Sequence, residues 1–163
     1  MEQLASGGDI LQLVTFNMGT EEYAVDILKV QEINRMTEIA RVPNAPSYVE
    51  GVINLRGRVI PVVSLSKRFN FTAKDRDDQS RIIIMDIQGI TIGVIVDSVS
   101  EVLRIPANTV DPAPNVATEM GTEFIKGIAK MEDRLIILID MDLLIERSES
   151  VSMLEASQKA IEI

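Results

Sequence analysis

Apolar positions along the chain fall into short runs that alternate with polar residues and are cut by turn-forming residues, the pattern of a β-rich protein. Leu11-Gln12-Leu13-Val14-Thr15-Phe16 is a strand, Met18-Gly19-Thr20-Glu21-Glu22 supplies a turn, and Tyr23-Ala24-Val25 begins the return strand of an antiparallel hairpin. After Asp26 the spacing of Ile27, Val30 and Ile33 predicts one face of a short helix, with Asp26 as its N-cap. Met36 to Val42 is extended again, until Pro43 and Pro46 deny it a ladder. Ser47 and Glu50 follow at capping-box spacing. The stretch from Gly51 to Leu65 then gives two β-branched strands around Arg56-Gly57-Arg58. Gly57 offers the positive φ that a tight hairpin turn requires, and Pro61, which lacks a donor, predicts an edge or bulged position for the second strand.

The polar run from Lys67 to Ser80 reads as a connection between two lobes, because the pattern restarts beyond it. Arg81 to Ile87 is a strand, Gln88-Gly89 a turn, Ile90 to Val96 its return, and Asp97 to Leu103 a second capped short helix. Gly51 to Leu65 aligns without a gap on Gly127 to Met141, a shift of 76 positions. Val25-Asp26 lines up with Val96-Asp97, Arg41-Val42-Pro43 with Arg104-Ile105-Pro106, and Tyr48 to Gly51 with Phe124 to Gly127. This ordered recurrence predicts an internal duplication: two similar small β-barrels side by side, the first lobe over about 10–72 and the second over about 80–146, with strand exchange between them left open. Residues 1–9 read as a flexible leader. Residues 147–163 read as an acidic C-terminal helix or tail, with Ser152 and Glu155 at capping-box spacing and Met153, Ala156, Ala160 and Ile163 on one helical face.

Composition narrows the function classes. A formal charge of −9 repels phosphate backbones and anionic membrane surfaces, so nucleic acid and direct membrane binding are disfavoured. No apolar window reaches the length of a membrane span, and no basic leader precedes an apolar one, which predicts a soluble cytoplasmic protein. The absence of cysteine removes thiol nucleophiles, thiolate metal sites and disulfides, and the absence of histidine removes the commonest general base and metal ligand.

The remaining groups give little chemistry. Asp140 and Asp142, read on one face of a strand, could imitate a general acid and base pair of a small hydrolase, but the solvent face of an outer strand explains them better. Asp75-Arg76-Asp77-Asp78 lacks the glycine and closing glutamate of a calcium loop. No phosphate-cradling glycine loop and no nucleophile elbow occur, so no catalytic residue, metal ligand, cofactor or small-molecule substrate is assigned. What stands out is surface. Val30, Glu32 and Ile33 sit together after the first hairpin, and Arg56 sits on the second hairpin's tip; an apolar patch rimmed by a carboxylate and a guanidinium suits an amphipathic helical partner.

Phe16 to Ile33, Gly51 to Gly57 with Val59-Ile60-Pro61-Val62, and Gly93 to Val99 resemble, in that order, the bacterial chemotaxis coupling family CheW. The resemblance spans roughly residues 10–146. It implies a non-enzymatic adaptor of two SH3-like five-stranded β-barrel lobes that joins the cytoplasmic tip of methyl-accepting chemoreceptors to the regulatory domain of the histidine kinase CheA. A scaffold for a receptor and kinase array outside chemotaxis is the alternative. Carried over by motif, the receptor-facing positions are Val30, Glu32, Ile33, Gly51, Arg56 and Gly57, with Val99 and Val102 on the second-lobe side of a groove; no kinase-contact residue follows. The resemblance further implies a cytoplasmic protein recruited to membrane-associated receptor arrays.

Overall fold

A computed structural model describes residues 9–71, 74–112 and 124–143. Eleven strands are present among them: β1 (Ile10–Met18), β2 (Glu21–Asp26), β3 (Val30–Arg35), β4 (Val49–Leu55), β5 (Arg58–Ser64), β6 (Arg81–Ile87), β7 (Ile90–Val96), β8 (Ser98–Pro106), β9 (Val110–Pro112), β10 (Ile125–Met131) and β11 (Arg134–Ile139). A single short helix, α1 (Leu65–Arg68), follows β5, capped by Ser64, and three one-turn 3-10 segments span Ile27–Lys29, Ala107–Thr109 and Met141–Leu143.

The strands form two sheets, one in the order β8-β1-β2-β11-β10-β9 and the other in the order β3-β6-β7-β5-β4. Each sheet takes its hairpin β1–β2 or β6–β7 from one half of the chain and the strands around it from the other half. The two halves are therefore interlocked. Neither sheet closes into a barrel through strand pairing among the described residues, and the expected C-terminal helix lies outside them.

The duplication is visible in fine detail. The hairpins β4–β5 and β10–β11 carry the same bulge, after Val49 and after Ile125. In each, the residue following the second strand's apolar run returns a backbone bond to the strand entry, Ser64 to Tyr48 at 2.8 Å and Asp140 to Phe124 at 2.7 Å. The second strand of each hairpin runs parallel to a strand from the opposite half, β5 to β7 and β11 to β2. Arg56 and Glu132, 76 positions apart, both take a φ of 53° at the hairpin tips.

Two expected helices are strands. The Asp26 carboxylate does cap, accepting from the Leu28 amide at 2.9 Å, but the turn it starts ends at Lys29 and β3 begins at Val30. Likewise 98–106 is strand β8. Both carry a β-bulge: Val30 pairs with Met85 and Glu32 with Ile84, skipping Gln31, while Val99 pairs with Phe16 and Glu101 with Thr15, skipping Ser100. An extra residue in a strand puts positions i and i+3 on one face, which imitates helical spacing. Pro61 is also not on an edge strand, since β5 lies between β7 and β4. The proline is tolerated because the parallel ladder to β7 starts one residue later, at Val62.

A central core fills the space between the sheets, with Val14, Phe16, Met18 and Val25 of one meeting Ile83, Met85, Val94 and Val96 of the other. Smaller cores line the opposite faces, around Leu13, Ala24, Ile136 and Leu138 in the six-stranded sheet and around Ile53, Ile60, Ile82 and Ile84 in the five-stranded one. The smaller cores hold no aromatic ring, whereas the central one also takes in Phe16, Tyr23, Tyr48 and Phe124.

Candidate docking groove

Strands β3 and β8 end their respective sheets, each with one edge unpaired among the described residues, and both lean on the central core. Val30 and Ile33 stand opposite Met85 and Ile83, while Val99 and Val102 stand opposite Phe16 and Val14, so all four side chains take the face that borders that core. Val30 and Val99 are half-buried against it, and Ile33 and Val102 are 39% and 54% exposed. Two apolar strips, one from each sheet, thus border the same central core.

Glu32 points to the opposite face of β3 from Val30 and Ile33, so the three residues do not share one surface as helical spacing implied. There Arg56 donates a short charge-assisted hydrogen bond from Nη2 to Glu32 Oε2. The contact holds the Glu32 carboxyl below its usual range and raises the Arg56 guanidinium above its own. Arg56 remains largely exposed. It is set at the hairpin tip by Gly57, whose amide donates to Asn54 Oδ1 at 2.9 Å and whose φ of +86° meets open space.

Gly51 has a different role from the other expected site residues. It is buried, with a φ of +150°, and a Cβ built there would lie 2.2 Å from the carbonyl oxygen of Ala40. The flanking residue Val52 exchanges two 2.8 Å backbone bonds with Ala40. Gly51 is therefore a close-approach point that lets the chain after β3 run antiparallel beside β4 at Val52, and it is buried rather than presented on the surface.

The second copy of this arrangement was not anticipated. Glu101 occupies the place in β8 that Glu32 occupies in β3, one residue beyond the bulge. Its cation is Arg134, which bonds Glu101 at 2.9 Å and grips Glu22 at 3.1 and 2.6 Å through Nε and Nη2. The hydrogen bond to Glu22, then that to Glu101, raises the Arg134 guanidinium pKa against the effect of partial burial. The recurrence of Val-x-Glu at Val30 and Val99 was the signal available in the sequence.

Other charged groups brace the frame. Asp97 accepts from the Gly19 amide at 2.6 Å and the Lys74 amide at 2.9 Å, tying the first turn to the connection between the halves. Glu50, with only 17% of its side chain exposed, takes Lys67 at 2.8 Å and Arg76 at 3.0 Å. Burial alone would push the Glu50 carboxyl up, but the hydrogen bonds and charges of Lys67 and Arg76 together bring it below its usual value. Asp140 and Asp142 do not sit on a strand. Asp140 Oδ1 accepts from the Asp142 amide at 3.0 Å, and the Asp142 carboxylate pairs with Lys29 Nζ at 3.2 Å, so both are engaged in holding the turn after β11.

Among the described residues, no helix is long and apolar enough to cross a membrane. The CheW-like domain family matches residues 12–149. A chemotaxis protein CheW from Klebsiella aerogenes is 35% identical over 138 residues, covering 85% of this chain and 83% of the relative. One from Thermotoga maritima is 36% identical over 146 residues, covering 90% and 95%. Among solved structures, the scaffolding protein TtCheW of Thermoanaerobacter tengcongensis superposes with a TM-score of 0.78 at 40% identity, covering 86% of this chain and 96% of that one. By domain match, sequence and fold, the chain belongs to the CheW-like family.

Proposed function

We propose that this chain is a non-enzymatic adaptor that couples methyl-accepting chemoreceptors to the histidine kinase CheA in chemotaxis arrays. The observation that supports the reading is that Val30 and Ile33 on β3, and Val99 and Val102 on β8, all take the core-bordering face of a strand at the end of its sheet, with the Arg56–Glu32 pair on the other face of β3. Two aliphatic strips match the apolar stripe of an amphipathic helix, and the charged pair fixes its register. A receptor's cytoplasmic hairpin tip is such a helical ligand. The scaffold and chemotaxis roles named for the relatives point the same way.

In this reading the two sheets are walls of two SH3-like lobes within one working unit over 10–146, and the lobe ends away from these strips take the regulatory domain of the kinase. The protein works in the cytoplasm and is recruited to the membrane through the receptor. It performs no bond chemistry. It shifts the kinase between active and inactive populations to the extent that its contacts differ between the receptor's signalling states. The test is a pull-down of a receptor fragment and a CheA regulatory fragment with and without this chain. Recovery of the kinase fragment only when the chain is present supports the coupling role, and equal recovery without it refutes that role.

A further inference from the structure

Arg35, the last residue of β3, stands directly opposite Arg81, the first residue of β6. Like charges facing each other across a ladder work against the sheet, so a pair held there without a counter-charge calls for a reason. Among the described residues no carboxylate bonds either guanidinium. Arg35 is exposed. Arg81 is half-buried, and its Nη1 donates to the carbonyl oxygens of Asp78 and Ser80 at 2.8 Å each, which fixes the head group without neutralising it. Acids close by are committed elsewhere. Glu32 lies on the other face of β3, bonded to Arg56, and Asp77 Oδ1 accepts from the Gln79 amide at 2.8 Å. Asp97, which follows the Val96 paired with Arg81, accepts from the Gly19 and Lys74 amides.

The pair has an apolar neighbour on its own face. Ile33 opposes Ile83 of the central core, and two residues further on Arg35 opposes Arg81, so strand alternation puts both arginines on the face that carries Ile33. The apolar strip of β3 therefore ends in two cations. Cβ atoms of directly opposed residues lie about 5 Å apart, close enough for two guanidinium forks to hold one carboxylate. Ile33, 39% exposed, offers apolar contact about 7 Å back along the strand, the length of four to five residues of helix. On a chain of net charge −9 this local excess of positive charge selects an anion, while the surrounding negative field repels nucleic acid and anionic lipid surfaces. The apolar neighbour favours an acid carried on a protein over a free ion.

We propose that Arg35 and Arg81 form a carboxylate clamp for an acidic side chain of a helical protein partner, carried four or five residues beyond an apolar side chain that packs on Ile33. The opposed cations cost the free sheet stability, and the partner's acid relieves their repulsion. The clamp follows from the register of β3 and β6; that its partner is the chemoreceptor tip rests on the function proposed above.

The test uses the full chain and a dansyl-labelled helical peptide with an apolar stripe and one glutamate four residues past its last apolar position, beside a twin with glutamine there. Anisotropy titrations should show the glutamate peptide binding roughly 3- to 10-fold more tightly, with a preference that shrinks as salt rises. Arg35→Glu should abolish the preference and raise the thermal midpoint, because an opposed ion pair replaces opposed cations. Arg35→Gln, which keeps the length and loses the charge, should also lose the preference without lowering the midpoint. Equal affinity for the two peptides, or no binding of either, overturns the clamp. A preference that survives in both variants overturns it as well. So does a lowered midpoint in Arg35→Gln, which would make Arg35 a structural residue. If the charge served only to block edge-to-edge pairing of β3, Arg35→Glu would keep that function and leave the peptide preference intact. In a second arm, a receptor tip fragment should bind Arg35→Glu at least 3-fold more weakly than the parent. Absence of receptor binding by the parent, with the glutamate preference present, sinks the receptor reading and leaves the clamp standing.

Discussion

Replacing Gly51 by alanine separates a backbone role from a contact role at a position that family resemblance places among the receptor-facing residues. A side chain there must adopt a φ of +150°, in a region that costs non-glycine residues about 1–3 kcal/mol. Its Cβ would also fall 2.2 Å from the Ala40 carbonyl oxygen and 2.8 Å from Ile39 Cγ2. The first of these is rigid backbone, so the 39–40 segment must move. That movement breaks the paired 2.8 Å bonds between Ala40 and Val52, each contributing about 1 kcal/mol. The sum is about 3–5 kcal/mol, a large part of the 5–15 kcal/mol by which domains are stable. The thermal midpoint should fall by roughly 10 °C or more. Gly57→Ala is the control: its φ of +86° is strained, but nothing lies within 4 Å of the added carbon, so it should cost only about 1–2 kcal/mol. Urea denaturation of the two variants measures the difference. A Gly51→Ala protein as stable as the parent would refute the close-approach argument, and selective loss of receptor binding in that stable protein would restore Gly51 to the contact surface.

Other substitutions probe the charged groups. Glu32→Ala and Arg56→Ala should each weaken receptor co-sedimentation while leaving the thermal midpoint nearly unchanged, because the pair is at the surface, and the exchanged pair Glu32→Arg, Arg56→Glu should recover part of the binding. Arg134→Ala should destabilise by about 1 kcal/mol after allowance for solvent screening, since Glu22 and Glu101 lose their shared cation, and a calorimetric scan reads this directly. The lowered folded-state pKa of Glu50 means that the unfolded chain takes up its proton first as pH falls. Its contribution is present above the usual carboxylate value and is lost as pH drops through the folded one. Comparing stability against pH for the parent and for Glu50→Gln should therefore show a shallower acid decline in the variant.

The strands of both hairpin pairs were legible because glycine, charge and β-branched runs mark them directly, as at Val52 to Val63 and Arg81 to Val96. The 76-residue repeat was legible for the same reason. Its bulges and returning backbone bonds recur at matching positions in the fold. The short elements after Asp26 and Asp97 were misread because a bulge spaces apolar residues by three, and a local pattern cannot tell that from a helical turn. The interlocking of the halves is a long-range property: nothing local in β1–β2 announces that its neighbours are β8 and β11. The same holds for Arg134, which reaches Glu22 and Glu101 from distant parts of the chain. Resemblance placed Glu32 and Arg56 each among the receptor-facing positions, and geometry adds that they bond each other, on the far face of the edge strand from Ile33.

The most direct test of the apolar strips as the receptor site is a titration of a receptor tip fragment against Val102→Asp, with kinase-fragment binding measured in parallel. Val102 is 54% exposed, so the fold tolerates the change, while a carboxylate in the apolar strip should cost the helical ligand more than about 1 kcal/mol, at least a 5-fold loss of affinity. The assignment predicts that loss with kinase-fragment binding and thermal midpoint unchanged. Undiminished receptor binding by a folded Val102→Asp protein would contradict it.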